Sequence, residues 1–553
     1  MTKILITSAL PYVNNIPHLG NLIGSVLSAD CFARFARLDG NEVLFVLGTD
    51  EYGTTTVTKA MEEGITPKEL ADKYFKIHKK IYDGFLTSYD CLGRSTSKEN
   101  AKIVQDIFLK LYKNDYFVEK TIQQLYSEKS KMFLSDRFVE GECPYCHSEG
   151  ARGDQCDACG KLLDQKDLIN PVSKIDGTRP IMRETKHLYI DLPKIEPELT
   201  KWIRLHEDDW SPLAKSITNN WLKAGLKERA ITRDLEWGIP VPLEEWKGKV
   251  FYSWFDAPIA YIGITNECLG EKWKDWWMDS EIKFYQYMGK DNVPFHSIMF
   301  PAYLIGTGDP YHLVDILDST AYLNYGDKKF SKSKGVGVFG DDAIDSEIAI
   351  DLWRYYMFRM RPENYDTEFI WEDFMAKVNN EIVNNYGNFV NRVISLTHKF
   401  FEGKKPAKGA QKGAKKNSAL IEDAKKMLEE YKDLMYKSKM KDGLAKANEI
   451  SALGNKYLQD EEPWAKAKTD LEAAGEIIAN ATDLCKILAL IYYPYMPDSS
   501  EKLWKTLTGK EIKGSTFKDA LAEVSEGTKI PEIGVLFSKL EKDQIDGLKE
   551  KFS

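Results

Sequence analysis

The chain opens with a short apolar run, Ile4-Leu5-Ile6, that gives way to Thr7 and Ser8, the pattern of a buried strand and its exit loop. From about Leu19 to Arg37 the apolar spacing becomes helical, with Leu22, Ile23, Val26, Leu27 and Asp30 marking the faces. Gly40-Asn41 marks a turn, and Val43 to Leu47 is a continuous apolar run, as expected of a parallel strand covered on both sides. Thr66-Pro67-Lys68-Glu69 combines an N-cap, a proline at the first helical position and a capping-box acid, so a helix starts there. Thr96-Ser97-Lys98-Glu99 suggests a second capping box. Strand, helix, strand, helix at these lengths predicts one half of a doubly wound α/β fold over residues 1–115.

The texture changes at about residue 116, where short β-like runs surround a cluster of four cysteines and mixed helical text continues to about 230. Residues 116–230 read as an insertion into the nucleotide-binding fold. The α/β pattern resumes over 231–325 with Phe251–Trp254, Lys283–Met288 and Leu313–Leu317. Residues 326–375 hold a basic loop and its sequel, and 376–553 are helical, with long amphipathic patterns at 372–400 and 417–490. Between these patterns, residues 403–416 are basic and rich in glycine and alanine, and read as a solvated loop.

Composition changes this picture little. The chain has 553 residues, enough for several domains, with 43% hydrophobic and 29% charged residues. No stretch approaches the roughly 20 apolar residues of a membrane helix, and the start lacks the form of a signal peptide, so a cytoplasmic enzyme is expected. A net charge of −9 argues against a general nucleic-acid binder but leaves room for a structured RNA held by local patches. Cys31, Cys91, Cys268 and Cys485 are scattered and are expected to be core thiols rather than disulfides. Cys143-x-x-Cys146 and Cys156-x-x-Cys159 are two hooks that can present four thiolates to one zinc ion. Four protein sulfurs leave no open position for water, so such a zinc is structural. His147 is a poorer ligand candidate and reads as an exposed polar residue.

Two short segments carry the candidate chemistry. In Pro17-His18-Leu19-Gly20-Asn21, His18 and Asn21 lie three apart at a helix start and so share a face. Gly20 allows close approach to the backbone, and a helix N-terminus favours phosphate. Lys329-Phe330-Ser331-Lys332-Ser333 is a cationic loop about three hundred residues later. A lysine brought in as negative charge develops stabilises a transition state more than a ground state, and Lys332 is the candidate.

In this order and separation, the two segments resemble the ATP signatures of class I aminoacyl-tRNA synthetases. Further segments resemble the methionyl-tRNA synthetase family within that class: Ser8 to Asn15, Thr232 to Pro240, Trp254 to Tyr261 and Gly289 to His296. Asn21 stands where the class signature has histidine, and Phe330 where methionine is common. The resemblance implies a Rossmann-type parallel-sheet catalytic domain with a zinc-bearing connective insertion, followed by an all-α anticodon-binding bundle. It implies that His18, Asn21 and Lys332 act in catalysis, and that Gly20, Gly289, Asp291 and Lys329 join them in binding ATP with its Mg²⁺.

Asp50 would take the methionine ammonium, helped by backbone at Leu10. Tyr12, Trp254, Phe295 and Phe300 would form an aromatic cage for the thioether, with Tyr261 and His296 near the sulfur. Asn384, Asn388, Arg392 and Trp464 would read the anticodon of initiator and elongator tRNA(Met) by stacking and base-edge bonds. The expected reaction is formation of methionyl-adenylate from methionine and ATP, then transfer to the terminal 2′-hydroxyl of tRNA. No OB-type domain follows Leu548 to Ser553, so a monomer is expected. The rivals are a synthetase for leucine, isoleucine or valine and a catalytically silent tRNA-binding relative.

Overall fold

The computed structural model describes residues 2–552 apart from 135–137, 154–155, 157, 160, 162, 164, 329, 333–334 and 409–418. Its N-terminal half is built on five parallel strands: β1 (Lys3–Ser8), β2 (Glu42–Thr49), β3 (Cys91–Arg94), β4 (Lys283–Gly289) and β5 (Ile316–Thr320), in the order β5-β4-β1-β2-β3. Ile4 pairs with Lys283 on one side and Val43 on the other, and Gly289 pairs with Thr320. The strand order reverses between β1 and β4. A crevice therefore opens beyond their C-terminal ends, where such sheets bind ligands.

The capping box at Thr66 forms: its hydroxyl accepts the Glu69 N–H at 3.2 Å, and Glu69 accepts the Thr66 N–H at 2.9 Å. The second box differs from expectation. Ser97 is the N-cap and accepts from Asn100, whereas the Thr96 hydroxyl donates to buried Glu51. Phe251 ends a two-residue strand, and Trp254 already belongs to a helix, Ser253–Leu269, called here the pocket helix. This helix packs against β2 and β3 so closely that a Cβ on Gly48 would lie 2.5 Å from Ile264 Cδ1, and one on Gly93 2.7 Å from its Cγ2. The expected helix over 19–37 is segmented: one α-turn (Leu19–Asn21), a π-turn (Leu22–Val26), then an α-helix (Leu27–Leu38). The Thr320 hydroxyl donates to the Gly24 carbonyl at 3.3 Å within the π-turn.

Residues 117–230 leave the parallel sheet. Strands Phe117–Ser127 and Ile181–Ile190 pair antiparallel along their length, flanked by Met132–Phe133 and Arg229–Ala230. A separate three-stranded sheet (Val139–Glu142, Ala151–Arg152, Ile169–Ser173) surrounds the cysteine hooks. Helices dominate after Trp371, including Ala419–Tyr436, Met440–Glu461 and Leu471–Tyr492. Arg354, fully buried on helix Ile350–Arg359, ties the two halves together. It donates to Asp30 Oδ2 (2.7 Å) and the Phe85 carbonyl (2.8 Å) on one side, and to the Pro494 carbonyl (2.8 Å) on the other. Among the described residues no helix is long and apolar enough to cross a membrane.

Two expectations are corrected. Cys91 and Cys268 form a disulfide that joins the start of β3 to the last turn of the pocket helix; Cys31 and Cys485 are buried free thiols. In the basic stretch, Lys405 is not solvated. It is buried on Asp483 at 2.8 Å, and Lys408 reaches the same carboxylate at 3.0 Å. Residues 409–416 of that stretch lie outside the described residues.

Candidate active site

Each signature shapes the other. His18 is an N-cap: its Nδ1 accepts the Asn21 N–H at 3.3 Å, and Asn21 Oδ1 accepts the His18 N–H at 3.2 Å. This reciprocal pair explains why Asn serves at position 21. It also fixes the imidazole tautomer, with the ring proton on Nε2. Burial lowers the His18 pKa to about 4, so at neutral pH it is an uncharged N–H donor. The Phe330 ring stacks on it with centroids 4.4 Å apart and planes 2° from parallel. A Cβ on Gly20 would lie 2.9 Å from the Leu323 carbonyl oxygen, so glycine is required there by the segment that leads to the second signature. Lys332 lies beside Phe339, its Nζ 4.6 Å from the ring centroid and 3.3 and 3.2 Å from the carboxylates of Asp341 and Asp342. Lys329 lies outside the described residues.

A cleft of about 220 Å³ runs along His18, Gly20 and Asn21 to Gly289, Asp291, Asn292 and Tyr322. It sits at the β1–β4 switch. A Cβ on Gly289 would meet open space. Asp291 accepts the Tyr322 hydroxyl on both oxygens, at 2.7 and 2.6 Å. Lys290 lies over the Tyr322 ring at 3.9 Å and pairs with Asp366 at 2.9 Å.

A second, smaller cavity of about 40 Å³ adjoins this cleft through Leu10 and Asn292, which line both. Tyr12, Asp50, Trp254, Tyr261, Phe295 and His296 are in its wall. Trp254 and Phe295 meet edge to face at 5.0 Å. The Asp50 N–H donates to the Pro11 carbonyl at 2.9 Å, which draws the loop after β1 over the end of β2. His296 Nδ1 donates to the Asn292 carbonyl at 2.9 Å, so its Nε2 accepts the Tyr261 hydroxyl at 2.8 Å. Burial lowers the His296 pKa to about 4, which keeps the ring neutral. With His296 neutral, this end of the cavity is uncharged. Phe300 does not line the cavity. The π-turn Phe295–Met299 places it in the core, 6.2 Å from both Tyr261 and Trp277.

The cavity has one strongly electrostatic feature. Asp50 is only 4% exposed, and among the described residues its Oδ1 has no hydrogen-bond partner. Burial first, then Asp256 and Glu51, push its pKa well above the ordinary carboxylate range. A cationic group in the cavity would relieve this. Asp256 lies inside the segment read as family-like, but sequence reasoning gave it no role. An acid within the apolar run Trp254 to Ile264 was the available signal. Trp237, whose Nε1 donates to the Glu51 carbonyl at 2.7 Å, was also missed.

The four sulfurs of Cys143, Cys146, Cys156 and Cys159 lie within 4.8 Å of one another and can hold a metal ion. A tetrahedron with Zn–S bonds of ~2.3 Å has edges of about 3.8 Å. Here Cys143 and Cys159 are 3.9 Å apart, and Cys146 and Cys156 3.6 Å. His147 is turned to Glu142 at 2.7 Å. Cys143 and Cys156 belong to a small core with Val57, Leu134, Phe138 and Leu168.

In the helical part of the chain, Asn384 and Asn388 are exposed on consecutive turns, and the Arg392 guanidinium stacks over Trp464 at 5.1 Å. Asn384 lies in a π-segment, Val378–Gly387, rather than an α-helix. Its neighbour Asn385 turns inward to the Asn448 carbonyl at 3.1 Å.

A family profile described as "tRNA synthetases class I (M)" matches residues 4–394, and one described as "Anticodon binding domain of methionyl tRNA ligase" matches 406–553. The chain is 47% identical to a protein named "Probable methionine--tRNA ligase, cytoplasmic" from Dictyostelium discoideum, covering 100% of this chain and 75% of that one. It is 46% identical to "Methionine--tRNA ligase, cytoplasmic" from Xenopus laevis and from Homo sapiens, covering 100% of this chain and 61% of each. A structure of Mycobacterium tuberculosis methionyl-tRNA synthetase in complex with methionyl-adenylate superimposes with a TM-score of 0.80 at 22% identity, over 97% of this chain and 100% of that one. That likeness speaks for the fold.

Proposed function

Since the chain belongs to the methionyl-tRNA synthetase family of class I enzymes, we propose that it joins methionine to ATP as methionyl-adenylate and passes the methionyl group to the 3′ end of tRNA(Met). One observation carries the reading: an aromatic cavity with Asp50 in its wall adjoins, through shared Leu10 and Asn292, a cleft lined by His18, Gly20 and Asn21 of the first signature, and Phe330 of the second signature stacks on that His18.

In this reading the methionine ammonium sits on Asp50 and the thioether lies against Trp254 and Phe295, beside the Tyr261 hydroxyl. Sulfur–aromatic contact favours the thioether, and the His296–Tyr261 bond keeps charge away from it. ATP lies in the cleft, with the ribose near Asp291 and the α-phosphate near His18. The methionine carboxylate oxygen attacks the α-phosphorus, and the bond to the β-phosphate breaks. His18 Nε2–H and the Asn21 amide donate to the α-phosphate oxygens as charge builds there, and Lys332 neutralises the departing pyrophosphate. Magnesium accompanies ATP. The 2′-hydroxyl of the terminal adenosine then attacks the methionyl carbonyl, and AMP leaves.

The cysteine cluster fits zinc, and Cys143, Cys146, Cys156 and Cys159 would hold it. The metal would supply a fixed tetrahedral node that orders the insertion. Metal analysis should find about one zinc per chain. Cys156→Ser should lose it and open the segment 139–173 to protease, with pyrophosphate exchange falling less than tRNA charging. Retained zinc in that variant would refute the ligand set.

At the anticodon end, base–aromatic stacking is worth about 1–3 kcal/mol. Trp464→Ala should therefore lower kcat/KM for tRNA roughly 5- to 150-fold and leave pyrophosphate exchange unchanged. A matching fall in exchange would mean that Trp464 serves the fold alone.

Pyrophosphate exchange with methionine, leucine, isoleucine and valine tests the reading as a whole. Methionine should support exchange far better than the others. Exchange supported by leucine, or none with any amino acid, would overturn it.

A further inference from the structure

The pocket helix carries an acid that the proposed reaction leaves unused. Asp256 stands in its first turn and is fully buried, and among the described residues neither of its carboxylate oxygens has a hydrogen-bond partner. Asp50 Oδ1 is in the same state. Asp50 lines the cavity, as do Ser253 and Ala257 on either side of Asp256 along the pocket helix, so three carboxylate oxygens without partners belong to the cavity wall and the layer behind it. Their surroundings offer little relief. Asp50 feels Asp256 and Glu51, and Tyr52 and Tyr303 feel Asp256. Arg94 is engaged by Glu51 through a two-pronged contact at 2.8 and 2.9 Å, and Arg229 acts on Tyr303. Tyr261, further along the same helix, donates its hydroxyl hydrogen bond to neutral His296. Buried carboxylates without a cation resist ionisation, and two side by side resist it jointly. In keeping with this, burial holds both aspartates well above the ordinary carboxylate range.

We propose that Asp256 is a positioning residue which keeps a proton on the Asp50–Asp256 pair while the methionine site is empty, and that the arriving ammonium group expels this proton to solvent. The inference rests on the methionine reading above. The exchange balances: a neutral carboxyl and a substrate ammonium become a carboxylate–ammonium pair and one released proton. Asp256 acts through Asp50, since it does not line the cavity itself. One consequence is selectivity for a cation: the empty site carries less charge than its acids suggest, and pairs only with a ligand that brings its own positive charge.

Calorimetric titration of methionine in two buffers of different ionisation heat counts the protons. The wild-type protein should release about one proton per methionine near pH 7, and its affinity should weaken as pH falls, approaching tenfold per unit below the titration of the pair. Asp256→Asn keeps the shape and removes the second acid. It should release fewer protons and shift the pH profile to lower pH. Binding heat with no dependence on buffer in the wild type would overturn the proposal and leave the methionine reading standing. No binding heat at all would sink that reading. Equal proton release and equal profiles in both proteins would show that Asp256 does not act on Asp50. If Asp256→Asn fails to fold, Asp256→Ser takes its place in the same comparison, with the same two outcomes.

Discussion

Replacing Lys332 with alanine should slow methionine-dependent pyrophosphate exchange about 10²- to 10³-fold, the cost of removing one donor aimed at developing charge. The methionine KM should barely move. The asymmetry follows from where the lysine rests. Its ammonium group is held at 3.3 and 3.2 Å by Asp341 and Asp342, at the start of the short helix Gly340–Ile344, and its side chain is about one-third exposed. Partly exposed ion pairs of this kind are worth about 0–1 kcal/mol, so a triphosphate competes with them easily. The loop need not travel far, because Phe330, two residues earlier, is already stacked on His18. A group that binds carboxylates in the resting state and phosphate only as charge develops contributes to kcat rather than to substrate affinity. Equal losses in exchange rate and in methionine binding would mean that Lys332 holds the pocket rather than the transition state. Single-turnover adenylate formation, beside equilibrium binding of methionine, separates the two.

Much of this arrangement is legible in the chain itself. The buried strands at Ile4 and Val43 are legible because both faces are covered, which removes polar alternation. The helix at Pro67 is legible because its cap is local chemistry. The cysteine hooks are legible because their spacing is itself the ligand geometry. What escaped is what depends on contacts between distant residues or on backbone register. π-turns at Leu22–Val26, Phe295–Met299 and Val378–Gly387 follow His18, carry His296 and carry Asn384. An apolar pattern with period 3.6 cannot reveal the one-residue shift that distinguishes them. That shift is why Phe300 faces Trp277 instead of the cavity. The Cys91–Cys268 bond joins residues 177 apart, and nothing in either neighbourhood marks a partner. Lys405 looked solvated because its sequence context is basic, yet it pairs with Asp483, which is supplied by a helix far along the chain. The capping pair of His18 and Asn21 falls between these cases. The spacing put both on one face, but the reason asparagine suits the position appears only in the reciprocal bonds.

Asp50→Asn should weaken methionine binding about 10²- to 10³-fold, because truncating one side of a buried charge pair costs about 2–5 kcal/mol. The substitution is nearly isosteric. The backbone bonds that hold the loop after β1 run from the Asp50 N–H to Pro11 and from the Val13 N–H to the Asp50 carbonyl, so neither depends on the side chain. The cavity should therefore keep its shape. What it loses is the carboxylate that could satisfy an ammonium group, since the His296–Tyr261 pair is neutral and the aromatic walls carry no full charge. ATP should be affected far less, because the nucleotide cleft shares Leu10 and Asn292 with the cavity but not Asp50. The folded protein should gain rather than lose stability near neutral pH, since a carboxyl buried without a counter-charge must take up a proton on folding and an amide need not. Weaker methionine binding together with a raised melting temperature would mark Asp50 as a residue kept for its ligand at the expense of the fold. An unchanged methionine affinity would move the ammonium site elsewhere, and the assignment of the whole cavity would fall with it.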